Sequence, residues 1–191
     1  MCYNKLNKGL GMNVISGKYK GRKLFSANEK VTRSTLNRVK ESLFCMIDEY
    51  IYNSNCLDLF AGSGALGIEC LSRGARRVVF CDNNAEAISV IKKNLKNVTE
   101  DYIVLFEDYL QALAKIKNER FDVIFLDPPY QSLSGETALD FILKNNMLNS
   151  GGIVVFEHDA KKSLQSLCKD CIITKQKVYG NKAIDIISFK G

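Results

Sequence analysis

A short proline-containing turn carries the groups most able to do chemistry in this chain. It reads Leu126-Asp127-Pro128-Pro129-Tyr130 and holds both prolines of the 191 residues. Proline fixes its own φ angle, removes a backbone donor and favours an extended residue before it. The Asp127 carboxylate and the Pro128 carbonyl are therefore predicted to converge as two acceptors beside the Tyr130 ring. Such an array suits a planar base with an exocyclic amine, which offers two N–H groups and a face for stacking.

The segment before this turn determines where it is expected in the fold. Residues Phe121 to Leu126 are mostly apolar and rich in strand-forming types, which predicts a buried strand. Open α/β sheets bind ligands at the carboxyl ends of their strands. The turn is therefore a candidate ligand site, and the alternative is a proline-stiffened loop with a solvated aspartate.

A second feature is a glycine-rich turn that follows another apolar strand. The strand Asn55 to Phe60 leads into Ala61-Gly62-Ser63-Gly64-Ala65-Leu66-Gly67, after which a helix is predicted. Glycines let backbone amides approach a ligand closely at a helix N-terminus. The spacing also satisfies the G-x-G-x-x-G dinucleotide fingerprint, so the glycines alone do not identify the ligand.

Acidic residues associated with three predicted strands narrow the choice of cofactor. Asp58 lies four residues before Gly62, where it can reach the ammonium group of S-adenosylmethionine but would repel a pyrophosphate. Asp82, followed by Asn83, can accept from ribose hydroxyls, and Asp108 can accept from an adenine amine. Helix caps or solvated strand ends are the structural alternatives for these three acids.

Together these segments resemble the class I S-adenosylmethionine-dependent methyltransferases, and the Asp-Pro-Pro-Tyr turn resembles their amino-methylating branch. Residues 15–24, 32–35 and 38–44 are similar to the start of the RsmD family, and the similarity runs from about Met12 to Phe189. The resemblance implies transfer of a methyl group from S-adenosylmethionine to N2 of a guanine in 16S ribosomal RNA. The substrate would be that RNA or the assembled small ribosomal subunit.

The resemblance and the motifs together assign two sets of site residues. The expected catalytic residues are Asp127, Pro128, Pro129 and Tyr130. The expected cofactor-binding residues are Asp58, Ala61, Gly62, Gly64, Gly67, Asp82, Asn83 and Asp108.

Positive charge is concentrated at the N-terminus. Ten of the 27 basic residues but one of the 21 acidic residues fall within residues 1–40, which carry +9 while the remainder carries −3. A basic segment of this kind is typical of phosphate-backbone binding. We expect a basic hairpin or arm over residues 1–33 that docks RNA, followed by a methyltransferase domain over 34–191. The expected RNA contacts are Lys18, Lys20, Arg22, Lys23, Arg33 and Arg38.

Alternating strand and helix patterns predict an α/β fold. We expect a seven-stranded, mostly parallel sheet with helices on both faces, which the resemblance implies is a Rossmann-like class I methyltransferase fold. An antiparallel C-terminal strand pair and a small basic N-terminal β-hairpin complete it. The predicted strands are 56–60, 78–82, 102–106, 121–126, 153–157, 171–178 and 183–189, and the predicted helices are 35–50, 65–73, 84–97, 109–117, 136–146 and 160–168.

Composition excludes several other classes of protein. No apolar stretch is long enough to span a bilayer and no signal peptide opens the chain, so we expect a cytoplasmic protein. We also expect a monomer. Its seven cysteines are expected to be reduced. Cys168 and Cys171 have metal-ligand spacing without a second pair, and His158 is the only histidine, so no metal site is predicted. His158 is expected in a hydrogen-bonded turn after a strand.

Three other functions remain open from the residues. An adenine-N6 methyltransferase acting on DNA or RNA would use the same turn, but 191 residues leave no room for a separate target-recognition domain. A catalytically idle RNA-binding assembly factor would not need the acids and the full turn. A nicotinamide oxidoreductase lacks an evident proton-donor pair.

Overall fold

A large sheet flanked by helices forms the centre of the computed structural model, which describes residues 10–26, 33–129, 132–164 and 171–189. The elements in chain order are β1 (Leu10–Asn13), β2 (Lys23–Phe25), α1 (Arg33–Ile47) with a 3-10 turn (Asp48–Tyr50), β3 (Asn55–Asp58), α2 (Ala65–Ser72), β4 (Arg77–Asp82), α3 (Ala85–Asn94), β5 (Asp101–Phe106), α4 (Tyr109–Lys115), β6 (Phe121–Leu126), α5 (Ser134–Lys144), β7 (Leu148–Asp159), β8 (Cys171–Tyr179) and β9 (Lys182–Phe189).

The order of the seven strands creates a place for a ligand. That order is β5-β4-β3-β6-β7-β9-β8, with β9 antiparallel to both of its neighbours and the other pairings parallel. From β3 the chain builds outwards through β4 and β5, then returns to the other side of β3 with β6. The direction of winding therefore reverses between β3 and β6. Open α/β sheets bind ligands at this point, outside the carboxyl ends of the strands.

Alternate residues of the central strands pack into two apolar layers, one on each face of the sheet. Phe80 of β4 packs in one layer with Phe44 of α1, whereas its neighbour Val79 packs in the other layer with Leu113 of α4 and Leu139 of α5. All five side chains are essentially inaccessible to water. Because both faces are covered by helices, the strand residues are apolar in runs instead of in alternation.

The two-stranded hairpin β1–β2 is joined to the larger body through the buried carboxylate of Glu69 in α2. Glu69 accepts hydrogen bonds from the backbone amides of Ile15 and Ser16 at 2.8 and 3.0 Å. It also pairs with Lys40 Nζ at 3.0 Å and with Arg73 Nε at 2.9 Å. Burial lowers the pKa of Lys40, and the Glu69 charge opposes that effect. The carboxylate thus links the hairpin, α1 and α2.

The predicted fold class is confirmed, and most element boundaries agree within a few residues. The helix predicted at 160–168 is wrong over its described part, because residues 160–164 form a turn and an irregular segment. The strand predicted at 153–157 extends over Leu148–Asp159, since its first residue pairs with Phe121. His158 therefore lies inside β7 and not in a turn, with Nε2 bonded to the Asp185 carboxylate at 3.0 Å.

The expectation that the cysteines are reduced holds for only part of those that the structure describes. Cys56, Cys70 and Cys81 are buried free thiols, and Cys45 is free but exposed. Cys171 is disulfide-bonded, contrary to the predicted reduced state. Among the described residues, no group of three or more potential ligands could hold a metal ion, and no helix is long and apolar enough to cross a membrane.

Candidate active site

The end of β3 and the turn after it form the first part of the site. Asp58 is buried, and its Oδ2 accepts a hydrogen bond from the Gly67 amide at 3.0 Å. Gly62 and Gly64 have positive φ angles of 55° and 75°, which favour glycine. A Cβ on Gly67 would lie 2.3 Å from the Phe80 ring, so Gly67 allows α2 to pack closely on β4. Open space surrounds the corresponding position on Gly62, where a ligand could approach the backbone.

Asp82 at the end of β4 holds this glycine turn directly. Its Oδ2 accepts from the Gly62 amide at 2.8 Å, and its Oδ1 accepts from the Asn84 amide at the same distance. Asn83 is exposed beside it, while Asn84 caps α3 by accepting from the Glu86 and Ala87 amides. The predicted ribose acceptor is thus also the residue that shapes the turn.

Asp108 lies at the same edge of the sheet, next to an exposed aromatic ring. It caps α4, with Oδ1 accepting from the Leu110 amide at 3.0 Å. The preceding residue, Glu107, donates its amide to the Asp82 carbonyl, which ties the ends of β4 and β5 together. Phe106 is 57% exposed, an unusual state for an apolar residue at a strand end. This edge therefore offers an apolar ring and a partly exposed carboxylate to a ligand.

The electrostatics of Asp58 fit a cationic group. Burial raises the pKa of Asp58 to about 7, the Gly67 hydrogen bond opposes the rise, and the nearby charges of Asp127 and Asp82 add to it. A buried carboxylate with a raised pKa binds a positive charge favourably, because the charge compensates for lost hydration. The ammonium group of S-adenosylmethionine supplies such a charge, so the residues present fit that cofactor.

The proline turn follows β6 on the other side of the reversal point. Asp58 pairs in register with Phe125, so Asp127 lies two residues further along the neighbouring strand. The Pro129 carbonyl accepts from the amide of Ser132, which closes the turn. A Cβ on Gly135 would lie 2.7 Å from the Pro128 ring, so α5 packs tightly against the turn. Tyr130, the predicted stacking residue, lies outside the described residues.

Two charged residues that the sequence analysis did not predict as site residues lie beside Asp127. Glu157 in β7 shares a side-chain hydrogen bond with Asp127, and Lys182 at the start of β9 donates to Glu157 Oε1. Burial raises the pKa of Glu157 to about 8, helped by the Asp127 charge. Burial of the carboxyl group raises the pKa of Asp127 too, although part of the residue remains exposed, and Lys182 and Glu157 counteract the rise. The Glu157 carboxyl thus keeps its proton and donates a hydrogen bond to the Asp127 carboxylate.

A cavity of about 340 Å³ opens beside these three residues. Apolar side chains from α1, β6 and β7 form much of its wall, among them Val39, Phe125 and Val155. The Tyr179 ring lines the same cavity, and its hydroxyl oxygen is buried without a hydrogen-bond partner among the described residues. Apolar walls with a few converging polar groups are typical of small-molecule and nucleobase sites.

The predicted RNA contacts divide into two groups. Lys18 pairs with Glu100 at 2.6 Å and Arg22 donates to the Lys96 carbonyl, so the body of the protein holds both. Lys20 and Lys23 are exposed and form no ion pair within the described residues. Arg38 is exposed on α1 beside the cavity-lining Val39, and Arg33 is the first residue of that helix.

The family model described as "Conserved hypothetical protein 95" matches residues 12–188. The chain belongs to this family, to which the RsmD proteins also belong. It is 41% identical over 184 residues to "Putative rRNA methyltransferase YlbH" of Bacillus subtilis, covering 94% of this chain and 100% of the relative. It is also 38% identical over 157 residues to "Ribosomal RNA small subunit methyltransferase D" of Haemophilus influenzae, covering 80% of this chain and 81% of that one.

Solved structures show the same fold. "Putative methyltransferase yhhF from Escherichia coli" superposes with a TM-score of 0.82 at 27% identity, covering 93% of this chain and 97% of that chain. A putative methylase from Haemophilus influenzae superposes with a TM-score of 0.78 at 34% identity, covering 94% and 98%. The predicted RsmD resemblance and the class I methyltransferase fold are therefore confirmed.

Proposed function

We propose that this RsmD-family protein methylates the exocyclic N2 amine of a guanine in 16S ribosomal RNA of the small subunit, with S-adenosylmethionine as the donor. One observation carries the proposal: Asp127 lies beside the reversal point of the sheet, close enough to Asp58 for their charges to interact, and lines a cavity of about 340 Å³. The names of the relatives, which refer to ribosomal RNA methylation, support the same substrate class.

The cofactor would be held by the first part of the site. Asp58 would accept from its ammonium group, Asp82 from its ribose hydroxyls and Asp108 from its adenine amine. The turn from Ala61 to Gly67 would let its backbone pass close to the ligand. S-adenosylmethionine supplies a methyl group on a positively charged sulfur, which leaves as a neutral thioether.

The amine would be positioned by the second part of the site. The Asp127 carboxylate and the Pro128 carbonyl would accept from the two N–H groups of N2, with Tyr130 stacked on the base. These bonds keep the nitrogen lone pair out of the ring and orient it, and orientation provides much of the catalysis in a direct transfer. The surplus proton leaves to Asp127 or water. A carboxylate with a raised pKa is suited to accept it.

We also propose that the basic hairpin docks the RNA. Lys20 and Lys23 extend from it into solvent, while Lys18 and Arg22 attach it to the loop before β5. An attached hairpin holds its exposed charges at a fixed place relative to the site, unlike a loose tail.

Methyl transfer from labelled S-adenosylmethionine to undermethylated small ribosomal subunits tests the function. Mapping of the product nucleoside should identify N2-methylguanosine. N6-methyladenosine would establish the adenine alternative. Binding of subunits without any transfer would indicate an assembly factor, and tight nicotinamide binding without S-adenosylmethionine binding would indicate an oxidoreductase.

A further inference from the structure

We infer that Asp127, Glu157 and Lys182 read the Watson–Crick edge of the target base as one array, with Glu157 as the residue that separates guanine from adenine. The inference rests on the proposed function and names the specificity element of the same site. The inference requires the two carboxyl groups and the ammonium group to line one cavity in a fixed order.

The tertiary structure places Glu157 between the other two residues. Leu126 and Phe156 are paired in register on β6 and β7, so Asp127 and Glu157 follow them side by side at the ends of parallel strands. Lys182 reaches Glu157 from β9, the antiparallel neighbour of β7. All three residues line the same cavity. The order of groups is therefore carboxylate, carboxylate, ammonium.

Guanine matches this order along its Watson–Crick edge. Its N2 amine and its N1–H are donors and its O6 is an acceptor, so they pair in turn with Asp127, Glu157 and Lys182. Adenine places an acceptor at N1, opposite the middle carboxylate, and has no amine at C2. A polar site left unpaired in this way discriminates strongly, because its buried groups lose their hydration without gaining a partner.

A second observation indicates a polar ligand in the cavity. The buried hydroxyl oxygen of Tyr179 has no hydrogen-bond partner in the described part of the chain. Buried polar atoms are nearly always paired, and a lone one points to a partner that arrives from outside the protein. Tyr179 lines the cavity together with Glu157 and Lys182.

Guanine binding by this array would release a proton. In the free protein Glu157 donates to Asp127, and burial raises the pKa of Glu157 to about 8. Glu157 separates the two bases only when it is ionised, because a protonated carboxyl could also donate to an N1 that carries no hydrogen. The other charged or titratable groups lining the cavity are Lys40, Tyr179 and Lys182. Lys40 is paired with Glu69, and Lys182 is paired with Glu157.

The test compares guanine with 2-aminopurine at the mapped target position of reconstituted small subunits. 2-Aminopurine keeps the amine at C2 but has an acceptor at N1 and no oxygen at C6. At a pH just above the Glu157 pKa of about 8, the wild-type protein should prefer guanine in kcat/KM by roughly 5- to 150-fold, the value of one well-formed base contact. Glu157→Gln should lose most of this preference, since an amide can donate to N1. The wild-type KM should fall between about pH 7 and 9 as Glu157 ionises, and the variant should not show this fall.

Two further variants make the test specific. Lys182→Met should reduce kcat/KM more for guanine than for 2-aminopurine, because only guanine carries O6. Glu119→Gln is the matched control, since Glu119 pairs with Arg77 away from the cavity, and it should behave as wild type. Unchanged S-adenosylmethionine affinity in each variant would show an intact fold.

The outcomes separate this inference from the proposed function. If the wild-type protein methylates guanine N2 but uses 2-aminopurine equally well, the base-reading array is refuted and the function stands. Preservation of the full preference in Glu157→Gln would also overturn the array. If no N2-methylguanosine forms on any subunit, the proposed function itself fails.

Discussion

The amide of Gly62 donates to the Asp82 carboxylate at 2.8 Å, so the end of β4 holds the glycine turn that follows β3. The second oxygen of Asp82 accepts from the Asn84 amide at the start of α3. Asp82 therefore shapes the turn through these hydrogen bonds. In the proposed function its oxygens also accept from the ribose hydroxyls. Neighbouring strands thus build the proposed cofactor site together.

Asp82→Ala should weaken S-adenosylmethionine binding strongly, because it removes the proposed ribose acceptor and releases Gly62. Asp82→Asn keeps one acceptor oxygen for these amides and should lose less affinity. Titration calorimetry measures the affinity of each variant for S-adenosylmethionine. Unchanged affinity in Asp82→Ala would refute the proposed cofactor site.

Asp127→Ala should reduce turnover by about 100-fold or more, in line with loss of a positioned proton acceptor. Its affinity for S-adenosylmethionine should change little, because Asp127 contacts the target amine in the proposal. Single-turnover methylation of small subunits and calorimetry measure the two quantities. Near-normal methylation would show that the turn is structural.

Cofactor affinity should rise with pH between about pH 5.5 and 7.5, because the pKa of Asp58 lies at about 7 in the free protein. Below this pKa Asp58 carries a proton that it must release before it can pair with an ammonium group. The affinity should therefore fall by up to about tenfold per unit as the pH decreases well below 7. Asp58→Asn should bind weakly at all pH values. A pH-dependent affinity that persists in this variant would assign the effect to another group.

Glu69→Ala should lower the free energy of unfolding by about 3 to 5 kcal/mol, because it leaves the buried Lys40 ammonium without its carboxylate. Asp48→Ala is a matched control, since Asp48 also pairs with Arg73 but its side chain is 68% exposed. An exposed pair contributes at most about 1 kcal/mol. Urea denaturation distinguishes the two variants, and equal losses would contradict the role of Glu69 in joining the hairpin to the body.

Replacing Lys20 and Lys23 with glutamine should weaken subunit binding and flatten its salt dependence. Removal of one phosphate contact should reduce the slope of log affinity against log salt by about 0.7 to 0.9. These two residues isolate the charge effect, because changes at Lys18 or Arg22 would also remove contacts between the hairpin and the loop before β5. Lys144→Gln in α5 is the control on the opposite layer of the fold. An unchanged slope in the double variant would place RNA docking elsewhere.

Local features of the sequence were enough to predict the strands, the glycine turn and the proline turn. Each depends on residues close together in the chain: runs of apolar residues, glycines that adopt positive φ angles, and prolines that stiffen their neighbours. The RsmD resemblance then supplied the connection between these pieces. The helix predicted over 160–168 failed where it can be compared, because helix-forming composition is a weak signal without tertiary packing.

The sequence by itself determined which segments are expected to carry the chemistry, and the tertiary structure alone decided which charged residues meet. Glu157 follows an apolar run of residues just as Asp127 does, but their contact depends on β6 and β7 being neighbours. Lys182 joins them because β9 inserts antiparallel between β7 and β8. The sequence places Glu69 in a helix but does not predict its contacts, because packing alone encloses it with Lys40 and the hairpin amides. The partners in each pair are far apart in the chain. Only the folded arrangement brings their charges together and buries them.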